Sequence, residues 1–157
     1  MVPAAIQAED ALQAREPPSS EIIIEGVLAD GLDHVWARVE PMLTAAIRDG
    51  GARLGTEDIR GWLDEGAMQL WIAFDDENLY AVAITEILVF PRIKVASIVM
   101  IAGWSYETWE PAAFDMIKRW AKAKGCKRLE VRGRPGWKRR LQSHGFRHRQ
   151  TVLELEL

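Results

Sequence analysis

Only one cysteine, Cys126, occurs in the 157 residues, so no internal disulfide and no cysteine cluster for a metal can form. The thiol is best placed as a structural group at a helix-to-strand junction, with a nucleophile as the weaker alternative. No apolar run approaches the 18 residues that a bilayer crossing requires. The start MVPAAIQAED is too short and too acidic for a signal peptide, and these features predict a cytoplasmic protein without a membrane partner. Three histidines, His34, His144 and His148, show no metal-ligand spacing, and no metal is expected. No Gly-x-Ser-x-Gly element is present, and Ser97 falls in a strand, which removes the support for hydrolase chemistry. Repeats and low-complexity tracts are absent as well.

What is present is an ordinary globular composition, 48% hydrophobic and 27% charged, with an unusual seven tryptophans. The net charge of -3 conceals a division. Residues 1–90 hold 17 acidic and 5 basic side chains, whereas residues 91–157 hold 6 and 15. A basic half suits an anionic ligand and an acidic half a cationic one. The run Lys138-Arg139-Arg140, with Lys127, Arg132, Arg134, Arg147 and Arg149, reads first as a solvated face and second as a phosphate contact. Nucleic acid is the weakest reading because no zinc finger or RNA-binding motif accompanies it.

Residues 1–20 read as a loosely held extension with a short helical piece at Ile6 to Arg15, and residues 21–157 as one domain. A β-branched strand at Ile22 to Leu28 comes first. Asp33 is the expected N-cap of a helix striped by Val35, Trp36, Val39, Met42, Leu43, Ala46 and Ile47, which Pro41 could bend or divide and Gly50-Gly51 stop. Thr56 is expected to cap a short second helix with Ile59, Trp62 and Leu63 inward, ended by Gly66. Met68 to Phe74 and Leu79 to Phe90 form a hairpin. Lys94 to Ala102 is nearly all apolar, as in a central strand covered on both faces.

The next helix opens at Thr108 or Glu110, with Pro111 in its first turn and Trp109, Ala112, Ala113, Met116, Ile117, Trp120 and Ala121 inward. Arg128 to Arg132 is a short strand at the end of a right-handed β-α-β crossover. A helix from Pro135 to His144 and a last strand from Phe146 to Leu157 complete the chain. The expectation is an α/β fold of order β-α-α-β-β-β-α-β-α-β: an antiparallel meander, a parallel crossover and a final antiparallel strand, whose apolar residues also offer a homodimer edge.

Two strings carry a resemblance: Ala96-Ser97-Ile98-Val99-Met100-Ile101-Ala102-Gly103 before a helix, and Gly133-Arg134-Pro135-Gly136-Trp137-Lys138-Arg139-Arg140-Leu141-Gln142-Ser143-His144-Gly145-Phe146 near the end. Over residues 21–157 the order and these strings resemble the GNAT superfamily of N-acyltransferases, including the divergent GNAT-type proteins of tailed bacteriophages and prophages. The resemblance implies acetyl-coenzyme A as cofactor and an amine-bearing small molecule or protein as acceptor. It places the backbone of Met100, Ile101 and Ala102 along the pantetheine arm, and Gly103, Trp104, Ser105 and Tyr106 at the turn that receives pyrophosphate. Free N–H groups and the positive end of a helix dipole suit an anion there.

The departures are equally specific. Ala102 to Thr108 lacks the family's glycine-rich phosphate loop, and Arg134 and Leu141 stand where the family has its asparagine and its proton-donating tyrosine. Leu141 cannot donate a proton; Tyr106 or a water would have to replace that donor. Glu86, alone in an apolar strand, is the candidate general base, against the alternative of a carboxylate paired with arginine. Trp104, Tyr106 and Trp109 line an acceptor site or pack the core. The competing reading is a GNAT-fold protein without catalysis that serves as an interaction or virion-associated module.

Overall fold

The computed structural model describes residues 21–49, 51 and 53–157; the helical piece expected at residues 6–15 and Gly50 lie outside them. A five-stranded sheet runs in chain order, with β1 Ile23–Val27, β2 Met68–Phe74, β3 Leu79–Val89, β4 Lys94–Gly103 and β5 Arg128–Val131. The first four strands are antiparallel and β5 lies parallel to β4, as expected of a crossover. Helices α1 Leu32–Asp49 and α2 Thr56–Asp64 cover one face. Helices α3 Tyr106–Ala123 and α4 Gly136–Gln142 cover the other. No helix among the described residues is long and apolar enough to cross a membrane.

Strand alternation divides the core into these two layers. Leu70, Ile72, Val82 and Ile84 meet Leu32, Val39, Leu43, Ile59 and Leu63 on the α1 side. Trp71 and Ile98 meet Phe114, Ile117 and Leu141 on the α3 side. The Trp71 indole N–H donates to Thr85 Oγ1 at 2.9 Å, and that hydroxyl donates to Gln69 Oε1 at 3.0 Å, so the buried polar atoms of β2 and β3 satisfy one another.

Helix ends differ from the reading of the sequence. A 3-10 turn at Ala29–Gly31 starts α1 at Leu32; Asp33 therefore sits inside the first turn, where its carboxylate accepts from Arg60 at 2.7 Å. Gly55, not Thr56, is the N-cap of α2, and its N–H donates to Asp58 at 2.8 Å. Thr56 instead donates to Glu40 at 2.8 Å. Pro41 leaves α1 continuous. α3 begins at Tyr106, earlier than Thr108 or Glu110, which places Pro111 beyond the first turn.

The closing strand does not form. Residues 146–157 take no regular structure, and Val152, Leu153, Leu155 and Leu157 are exposed. Their alternation is compatible with a strand, but a strand also needs a ladder, and none of the described strands supplies one.

Candidate active site

The site is built on a break in β4. Ile84 pairs with Met100 while its neighbour Thr85 pairs with Ile98, so Val99 is an extra residue without a partner on β3. This bulge resets the alternation: Ile98 and Ile101 pack toward α3, whereas Met100 and Ala102 pack toward α1. Pairing with β5 ends at the same point. Val131 is the last partner, opposite Ile98, and the Arg132 N–H closes on the Ile98 carbonyl at 3.0 Å. From Val99 to Gly103, β4 continues with no ladder on its β5 side, leaving a wedge whose wall is unpaired backbone.

At the wide end, the Trp104 N–H bonds to the Tyr80 carbonyl at 3.0 Å. Gly103 is held so close to β3 that a Cβ there would lie 2.4 Å from the Tyr80 oxygen. Ser105 takes the left-handed conformation at φ 54° and ψ 45°, rare for a residue with a side chain. Its carbonyl accepts both the Thr108 N–H at 3.0 Å and the Thr108 hydroxyl at 2.6 Å. The amides of Ser105, Tyr106 and Glu107 make no backbone hydrogen bond, so the start of α3 presents unpaired donors.

Around that start the charges are ordered. Arg140 of α4 reaches Glu107 at 3.0 Å and Glu110 at 3.3 Å, and its guanidinium lies 4.4 Å from the centre of the Tyr106 ring. Glu110 is buried, accepts from Arg140 on Oε2 at 3.3 Å with His144 Nε2 3.7 Å from the same oxygen, and has no hydrogen-bond partner for Oε1. Trp137 meets the Tyr106 ring edge-on at 5.4 Å. Burial pushes the Tyr106 phenol above its ordinary pKa, with the charges of Arg140 and Arg134 pulling the other way.

Glu86 lies on the opposite face. Its register partners are Met68 and Ser97, and Ser97 in turn pairs with Glu130, so Glu86 sits one residue before the wedge opens. Its carboxylate approaches Arg132 at 3.9 Å and stays partly open to solvent. The buried Ser97 hydroxyl has no partner. Across the mouth, Arg134 pairs with Asp49 at the end of α1 at 3.6 Å.

The chain thus gathers Met100, Ile101, Ala102, Gly103, Trp104, Ser105 and Tyr106 along one path and keeps Glu86 apart from Tyr106, across the sheet. Trp104 and Trp109 pack with Tyr80, Ala81 and Ile101, whereas Tyr106 and Trp137 meet at the start of α3. Leu141 is buried in the α3-side core. Among the described residues no group of histidine, cysteine or carboxylate side chains could hold a metal. The bulge, the burial of Glu110 and the Asp49–Arg134 pair were not anticipated. An uninterrupted apolar string contains no polar marker for a bulge, although Glu107 and Glu110, three apart and upstream of a basic run, signal an acidic face toward α4.

Solved structures share this fold. An aminoglycoside N-acetyltransferase, AAC(6')-Iy, in complex with CoA matches with a TM-score of 0.65 and 16% identity, over 90% of this chain and 98% of that one. A ribosomal-protein-alanine N-acetyltransferase from Brucella melitensis biovar Abortus 2308 gives 0.61 and 15%, over 87% and 98%. A predicted acetyltransferase with acetyl-CoA from Clostridium acetobutylicum gives 0.59 and 15%, over 86% and 96%. The fold is that of the GNAT acetyltransferases. No protein-family model matches the chain, and no curated protein is similar to it.

The residues present fit a coenzyme A group. The free β4 edge offers alternating N–H and C=O groups to an amide-bearing arm, and the start of α3 offers donors, with the Arg134 and Arg140 charges acting on the same place. The acids Glu107 and Glu110, which would oppose a phosphate, are already tied to Arg140.

Proposed function

We infer that this protein is an acyl-coenzyme A-dependent N-acyltransferase that transfers an acetyl group to a primary amine. The observation that carries this reading is the splay of β4 from β5 at the Val99 bulge, with the strained, donor-rich turn at its wide end. Bound acetyl-coenzyme A supplies an activated thioester. The backbone of Met100, Ile101 and Ala102 holds the arm by strand-like pairing, and Gly103 to Tyr106 hold the phosphates with Arg134 and Arg140.

Glu86 takes a proton from the acceptor ammonium. It lies on the α1 side of the sheet, beside the narrow end of the wedge, and Arg132 keeps it oriented. The acceptor approaches from that side, past Asp49, whose carboxylate suits a cationic amine. Tyr106 stands at the phosphate end of the wedge, so a water at the narrow end gives the departing thiolate its proton.

Titration calorimetry with acetyl-coenzyme A should give saturable binding. Once an acceptor is found by screening amines, Glu86→Gln should bind the cofactor as before and lose about 10²- to 10⁴-fold in turnover. No heat up to millimolar concentration would sink this reading. It would favour a GNAT-fold interaction or virion-associated module, for which the specific observation is that Arg140, Glu107, Glu110, Tyr106 and Trp137 already join α3 to α4 across the anion site.

A further inference from the structure

At one end of the sheet, exposed apolar side chains stand among cations. β3 and β4 are joined by a tight turn in which Phe90 and Ile93 exchange backbone hydrogen bonds at 2.9 and 3.4 Å. At this tip Val89 and Phe90 keep 73 and 50% of their free surface, and Pro91 is exposed beside them. Neither Val89 nor Phe90 packs into either layer of the core.

Backbone contacts bring the cations to the same place. Lys94 pairs with Val89 across the hairpin, and its ammonium donates to the Lys124 carbonyl at the end of α3 at 3.3 Å. The Lys94 carbonyl accepts the Lys127 N–H at 2.9 Å, and Arg128 pairs with the next β4 residue, Val95. Arg92 in the turn and Lys122 in the last turn of α3 complete a set of exposed cations, none of which has an ion pair among the described residues. No acid occurs between Ile87 and Trp104 or between Met116 and Leu129, so neither segment supplies a counter-charge. Offsetting the α3 dipole accounts for Lys122 and Lys124, but not for Arg92, Lys127 and Arg128.

We propose that this end of the molecule docks on an anionic lipid surface, with Val89 and Phe90 entering the headgroup region and the surrounding cations facing the lipid phosphates and carboxylates. Apolar insertion and a polybasic patch are two signals that together hold a protein at a bilayer, and both are present here at one tip. Nucleic acid fits less well. Single strands are bound by several aromatic platforms along a groove, whereas here one aromatic ring stands on a protruding turn beside aliphatic neighbours. No helix among the described residues is long and apolar enough to cross a bilayer, and docking on its surface needs none; the proposal departs from the expectation of no membrane partner. Lys94 opens β4 and Gly103 closes it, about 30 Å away, so the wide end of the wedge stays clear of the lipid. This inference is independent of acyl transfer, because none of these residues enters the proposed site.

Co-sedimentation of the full chain with vesicles of phosphatidylcholine and phosphatidylserine should show saturable binding that is lost on pure phosphatidylcholine and weakens with added sodium chloride. Lys124→Glu/Lys127→Glu should weaken it by at least about tenfold. Val89→Ser/Phe90→Ser should weaken it by about tenfold with an unchanged circular dichroism spectrum, since both side chains lie outside the core. No binding to the mixed vesicles at low salt overturns the proposal. So does vesicle binding that survives either double substitution. A single-stranded RNA that displaces the protein from the vesicles at matched phosphate concentration also overturns it, and assigns the patch to nucleic acid.

Discussion

At the scale of single residues, Gly103 is the position with least room. A methyl group there meets the Tyr80 carbonyl at 2.4 Å, and backbone cannot swing away as a side-chain end can. Gly103→Ala should therefore cost about 1–3 kcal/mol. In a chain of this size that corresponds to a fall in melting temperature of about 2–4 °C for each kcal/mol, readable by calorimetric melting. The β2–β3 turn carries a pH signature. Asp75 accepts the Tyr80 hydroxyl at 2.6 Å and the amides of Glu77 and Asn78 at 2.9 and 2.8 Å, and the phenol, before the amides, lowers its pKa. A carboxyl with a depressed folded pKa contributes stability that is present above its unfolded value of about 3.9 and lost as pH falls through the folded one. Urea midpoints measured from pH 6 downward should decline less steeply below about pH 4 in Asp75→Asn than in the wild type.

At the scale of elements, the strand pair β2–β3 is fastened by the chain of donors from Trp71 through Thr85 to Gln69. Thr85→Val preserves shape and leaves the buried Trp71 N–H unpaired. The expected loss is about 1–3 kcal/mol in denaturant unfolding, and replacing Trp71 by Phe in the same background should recover part of it, because the orphan donor is then gone. The elements were largely legible in the chain. Alternation and turn residues set the five strands, and stripes of apolar residues set the four helices. Helix starts were less so: the αL conformation of Ser105 opens α3 ahead of Thr108, and no sequence propensity announces a strained serine. Pro41 shows the same limit, since a continuous α1 is held by the packing of Val39 and Leu43 on either side.

At the scale of the molecule, the acidic first part and basic second part meet at the wedge. Asp49 faces Arg134 there, Glu86 faces Arg132, and the α3 acids face Arg140. The proposed cofactor therefore enters a site whose charges are already paired, and its binding should be weakened by salt as those arginines are screened. Acetyl-coenzyme A at about a hundred times its dissociation constant should stabilise the fold by about 2.7 kcal/mol. A thermal shift that rises with ligand concentration and shrinks with added sodium chloride is the expected result.

The chain by itself determined the order of strands and helices, the inward stripes, and the string from Met100 to Tyr106 as the place to look, because those depend on local periodicity and on residues adjacent in sequence. Tertiary structure alone decided that β4 and β5 part at Val99, that Glu86 lies across the sheet from Tyr106, and that Arg140 pairs with both Glu107 and Glu110. Each depends on which backbone groups find partners on another strand or helix. The tail shows both sides of this division: its alternation was legible as a strand, but a strand exists only when a neighbouring edge accepts its hydrogen bonds.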